Sequence, residues 1–137
     1  MRKKRFFKDG KTVHPQSNYI PKKMRNKPDV ETDSGIFVRS QYEKITVKFF
    51  LEKKLQFVYE PLIILDGKQY RPDFFLSKHN LFIEICGFIH MPNYRDRVKF
   101  KKELYEKNNL KALFIEFDGK GSLENLLETE LEKLNIL

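Results

Sequence analysis

The chain lacks any apolar run of about 18 residues, so no membrane span is expected. The basic start, MRKKRFFKDGK, has no long apolar stretch behind it, so it is not expected to be a secretory signal. Internal repeats are absent. Cysteine occurs once, at Cys86, so no internal disulfide can form, and a reducing cytoplasm is the expected setting. What is present is 137 residues with 40% hydrophobic content, enough for one core and one domain.

Charge is unevenly spread. The net charge is +8, yet residues 1 to 28 hold ten Lys or Arg against Asp9 alone, a net +9. The remainder carries 17 basic and 18 acidic residues, a net −1. The basic character therefore belongs to an attached arm, expected over residues 1–36, and the folded domain is expected over 37–137. Such an arm attracts polyanions by releasing counterions, and nucleic acid is the expected partner. A solubilising tail is the plainer alternative.

Ser40 is a good N-cap, and Glu43 three residues later completes a capping box, so a helix is expected from there to about Leu55. FVYE and LIIL read as strand, with Asp66-Gly67 as a hairpin turn. A strand over about Gln69 to Leu76, a turn at SKHN and a strand LFIEIC follow. A helix over Asn93 to Asn108, a buried strand KALFIEF and a helix over Leu123 to Leu134 complete the order. The class is mixed α/β: helix, three-strand meander, helix, strand, helix, with a sheet of about four strands.

Two carboxylates, Asp73 and Glu84, lie inside the apolar hairpin, where an uncompensated charge is costly. If Lys78 and His79 form the tip of a symmetric turn, antiparallel partners have numbers summing to 157, as Asp73 and Glu84 do. Facing like charges are destabilising, unless a hard cation such as Mg²⁺ lies between them. A different register, a bulge or a pairing with Arg71 would also relieve them. Glu43 shares a helical face with Val47 and Phe50, so a third carboxylate points toward the core side, in addition to its capping role. On the helix beginning near Asn93, at about 100° per residue, Phe100, Leu104, Tyr94, Tyr105 and Val98 share one arc. Lys101 falls at its centre and Arg97 within it, while Lys99, Lys102 and Lys107 fall outside. Lys101 either snorkels or supplies positive charge to the carboxylates.

The ordered set VRSxxE, RPDF, IExxG and YRxRxxxKxxxY, across roughly residues 38 to 117, resembles the PD-(D/E)XK nuclease superfamily. The likeness is to its small single-domain branches, the helicase-associated modules and the very-short-patch-repair-like endonucleases. It implies a restriction-endonuclease-like core of order α-β-β-β-α-β-α and metal-dependent hydrolysis of DNA phosphodiesters. Asp73 and Glu84 would hold Mg²⁺ or Mn²⁺, and Glu43 would support the metal shell. Cys86 occupies the family's usual lysine slot, a departure. The helicase-associated pattern instead places the lysine at Lys101, the residue that the helical arc selects.

The short-patch-repair-like pattern offers Gly87, His90 and Asp96, with His90 activating water or protonating a leaving group. An ordinary loop histidine is the alternative, and Asp96 falls on the outer side of the helix. Cys86 reads most simply as a small core residue. Candidate phosphate contacts are Arg2, Lys3, Lys4, Arg5, Lys22, Lys23 and Arg25 in the arm, with Arg71 and Arg97 in the domain. One site per chain means that double-strand cutting would need a homodimer, a larger nucleoprotein assembly or two encounters. A rival expectation is a catalytically altered nucleic-acid-binding or assembly module. A third is a small regulator with no nucleic-acid role.

Overall fold

The computed structural model describes residues 27–87 and 91–137. Four strands form the central sheet: β3 (Val58–Tyr59), β6 (Phe74–Leu76), β7 (Leu81–Cys86) and β8 (Ala112–Glu116), in the order β3-β6-β7-β8. The first three are antiparallel neighbours and β8 runs parallel to β7, so the sheet is mixed. The parallel step follows from α2 (Pro92–Lys107), which carries the chain back over one face before β8 begins. Helices α1 (Gln41–Glu52) and α3 (Leu123–Lys133) cover the other face.

Side-chain alternation explains this layering. Phe74 and Leu76 of β6, Leu81 and Ile83 of β7, and Ile115 of β8 join Val47 and Phe50 of α1 and Leu123, Leu127 and Leu131 of α3 in one core. The intervening residues face α2: Phe75 stacks near Phe82, and Tyr105 of α2 meets Phe82 and Phe114. Strand β7 is thus covered on both faces, which accounts for its nearly continuous apolar run. Glu84, two residues after Phe82, therefore lies on the face beneath α2.

The remaining elements show where sequence reasoning needs adjustment. Helix α1 ends at Glu52 rather than near Leu55. Lys54 adopts a left-handed φ of 58°, and the Leu55 N–H bonds back to the Phe50 carbonyl, closing the helix. The expected single strand from Gln69 to Leu76 is two strands in different sheets. Strand β5 (Lys68–Tyr70) pairs only with β4 (Ile63–Leu65), whereas β6 joins the central sheet. The interruption is Arg71-Pro72-Asp73, where proline has no N–H to donate to a ladder. The β4–β5 hairpin has the expected Asp66-Gly67 turn, both residues at positive φ (52° and 79°), as a two-residue type I′ turn requires. Val30–Glu31 (β1), within the span assigned to the arm, pairs with Phe37–Val38 (β2), and Val38 is fully buried, so ordered structure starts before residue 37. Among the described residues, no helix is long and apolar enough to cross a membrane.

Candidate active site

The β6–β7 hairpin pairs Phe74 with Ile83, Phe75 with Phe82 and Leu76 with Leu81. Each pair has the expected register, although the turn is a short 3-10 segment, Ser77–His79, followed by Asn80 in the left-handed region. Asp73 stands one residue beyond the end of this ladder, at the position opposite Glu84. Both side chains are withdrawn from solvent, with Asp73 6% and Glu84 4% exposed. Asp73 Oδ2 accepts a hydrogen bond of 2.8 Å from the Ile85 N–H, the residue next to Glu84. Its carbonyl accepts another from the Glu60 N–H at 2.9 Å. The Asp73 backbone thus stays bonded to the segment after β3, while its carboxylate folds onto the neighbouring strand.

Glu84 receives two donors from α2. Lys101 Nζ lies 3.2 Å from Glu84 Oε2, and the Tyr105 hydroxyl donates to the same oxygen at 2.6 Å. Lys101 and Tyr105 are four residues apart, hence on one face of the helix. The lysine side chain is 19% exposed, so it reaches inward rather than snorkelling out. Lys102 and Lys107 do point outward, to Glu116 and Asp66. Phe100, expected on the buried arc, is 39% exposed. Asp96 is exposed, as expected, and Arg97 lies over the Tyr94 ring. Burying a carboxylate costs several kcal/mol. Charge-assisted hydrogen bonds, each worth about 1.5–3 kcal/mol, offset much of that. The compensating partners of Glu84 are therefore Lys101 and Tyr105.

Glu43 sits in a different constellation. Ser40 caps α1 by accepting from the Glu43 N–H, as the capping-box spacing leads one to expect. Glu43 Oε1 takes the Arg39 N–H at 2.9 Å and the Tyr59 hydroxyl at 2.8 Å. Burial and the Glu43 charge hold the Tyr59 hydroxyl well above its ordinary pKa, so it stays a donor. The Arg39 guanidinium binds Glu60 at 2.7 Å, and that bond raises the arginine's pKa further. Arg71 donates to the Glu60 carbonyl. Among the described residues, no three of His, Cys, Asp and Glu are grouped closely enough to hold one metal ion. Glu43, Asp73 and Glu84 are thus not brought to a single point. Glu43 connects to the Asp73 loop through Tyr59 and Glu60 of the β3 edge.

Cys86 is buried and unpaired. Burial, then the charges of Glu84 and Asp73, push its thiol up to about 12, so it is neutral at ordinary pH and carries no charge into the site. His90 and the arm residues Arg2, Lys3, Lys4, Arg5, Lys22, Lys23 and Arg25 lie outside the described residues. Sequence reasoning missed the roles of Tyr105, Tyr59, Arg39 and Glu60. Tyr105 had a signal, its spacing of four from Lys101. The Arg39–Glu60 pair spans 21 residues and two elements, with no local signature.

No known protein family, no curated protein and no solved structure matches the chain.

The donor set suits a hard divalent cation. Mg²⁺ is commonly held by one or two carboxylates with water and phosphate oxygens completing its shell, and Asp73 and Glu84 offer two buried carboxylates at one strand end. A thiol in the neutral state gives a hard ion nothing, which leaves Cys86 out of the set.

Proposed function

We propose that this domain is a metal-dependent endonuclease that hydrolyses phosphodiester bonds in DNA, on a restriction-endonuclease-like core. The observation that carries the reading is the contact between Lys101 and Glu84 beneath α2, beside Asp73 at the matching register position. It brings an amine from α2 to one buried carboxylate, with a second buried carboxylate across the same hairpin. The order of helix, antiparallel meander, helix, parallel strand and helix supports the same reading.

Asp73 and Glu84 would hold Mg²⁺ or Mn²⁺. Bound there, the ion supplies Lewis acidity toward a phosphate oxygen and toward water. Lys101, seated against Glu84, would offset the negative charge that grows on the phosphoryl oxygens. Glu43 supports the pair indirectly, by fixing α1 against β3 through Tyr59. The arm and Arg71 contact the phosphate backbone, which gives affinity without sequence choice. Cytoplasmic residence fits the lone reduced cysteine.

One observation favours a second reading, a nucleic-acid-binding or assembly module. The family's lysine slot holds a neutral thiol. Plasmid nicking separates the two. The nuclease converts supercoiled plasmid to nicked circles with Mn²⁺ and not with EDTA, whereas binding without any Mn²⁺-dependent nicking would select the module.

A further inference from the structure

Glu84 accepts both of its α2 hydrogen bonds at Oε2 and none at Oε1 among the described residues. One donor is an ammonium and the other is a hydroxyl at 2.6 Å, a short, charge-assisted contact. Tyr105 is 1% exposed, and its ring lies against Phe82 and Phe114, so the hydroxyl has little freedom to turn away. A carboxylate clamped at one oxygen cannot chelate through both, nor bridge two ions with one oxygen each.

We propose that Tyr105 is a positioning residue that acts with Lys101 to reserve Oε2 of Glu84, leaving Oε1 as its one metal-binding oxygen, so that the site takes a single divalent cation. This rests on the reading of Asp73 and Glu84 as the metal pair. The arrangement divides the work on α2. Lys101 fixes the charge and Tyr105 fixes the rotation of the carboxylate. Partners that orient a ligating carboxylate typically contribute about 10–100-fold to metal affinity.

The test uses the full chain and Mn²⁺ alone, titrated by calorimetry, alongside the Mn²⁺ dependence of plasmid nicking. Wild-type protein should bind one Mn²⁺ per chain. Tyr105→Phe, which keeps the ring and its packing, should weaken binding by about tenfold or more. The Mn²⁺ concentration for half-maximal nicking should rise by the same factor, with the rate at saturating Mn²⁺ largely retained. Phe82→Leu disturbs the ring contact without touching the hydroxyl, and should leave Mn²⁺ affinity at the wild-type level. The proposal is overturned by unchanged affinity in folded Tyr105→Phe. Equal weakening in Phe82→Leu overturns it too, because packing would then be the cause. So does a stoichiometry of two ions that Glu84→Gln removes together. Mn²⁺ binding that behaves as expected without any nicking would remove the nuclease reading and leave the clamp standing. Absence of both binding and nicking would remove both.

Discussion

Glu43 and Glu84 are both buried glutamates that accept a hydrogen bond from a buried or half-buried tyrosine near an arginine or lysine, yet they are built for different tasks. At Glu84 the cation, Lys101, touches the carboxylate itself, and both donors are side chains from one helix. At Glu43 the Arg39 backbone N–H donates to the carboxylate, while the Arg39 guanidinium binds Glu60 at 2.7 Å. The first arrangement holds a charge in place beside a second carboxylate. The second ties the start of α1 to β3 and uses its arginine to lock a strand edge. A buried carboxylate with a tyrosine partner is therefore no signature of chemistry by itself. What marks Glu84 is the lysine in direct contact with its carboxylate and the second acid at the matching register position.

Substitutions at the Asp73–Glu84 pair sharpen this contrast most. Asp73→Asn and Glu84→Gln keep volume and remove a negative charge each. Both variants should lose Mn²⁺-dependent nicking down to the EDTA control while the circular dichroism spectrum is kept. Wild-type rates in either variant would break the comparison at its base. Lys101→Met comes next. It preserves length and apolar contact but takes the cation away, and nicking should fall by about 10²–10³-fold, the usual loss on removing one electrostatic stabiliser. Extra Mn²⁺ should not restore it, since the lysine is not a ligand.

Glu43→Gln and Tyr59→Phe test the other half. Each removes a partner in a half-buried network, so each should cost about 1–3 kcal/mol in urea unfolding. Nicking by the folded fraction should change far less than in the Lys101 variant. If Glu43→Gln instead stopped nicking as completely as Glu84→Gln at unchanged stability, Glu43 would belong with the metal pair after all.

These contrasts bear on what the sequence made legible. The register of β6 and β7 was readable because a short loop between alternating apolar runs leaves few pairings, and each face has its own core. Lys101 was readable because helix periodicity is strict enough to place one residue on one face. The break at Pro72 has a local signal, proline's missing N–H. Its consequence, a hairpin belonging to another sheet, depends on where β5 finds a partner. The placement of Glu43 was unreadable for a different reason. Its partners are a backbone N–H and a tyrosine 16 residues away, and period arguments speak only to faces. Direction toward the core side was right, but two residues on the same side of a helix or sheet need not meet.

Cys86 gives the smallest expected effect and the finest discrimination. The thiol stands on the same face as Glu84, two residues on. Its Sγ is 3.9 Å from the Glu84 carbonyl and makes no ion pair. Because its folded-state pKa is raised to about 12, the thiol stays protonated through neutral and mildly alkaline pH, while in the unfolded chain it would ionise near 8.5. The sign follows: this residue's contribution to stability is intact below the unfolded value and declines as pH rises from there toward 12. Native protein at pH 8 should therefore resist iodoacetamide and react once urea unfolds it. Cys86→Ser should nick plasmid at the wild-type rate, because the proposed mechanism draws its positive charge from Lys101 and none from the thiol. A Cys86→Ser variant as inactive as Lys101→Met would mean that the thiol is needed as well as the helix-borne amine.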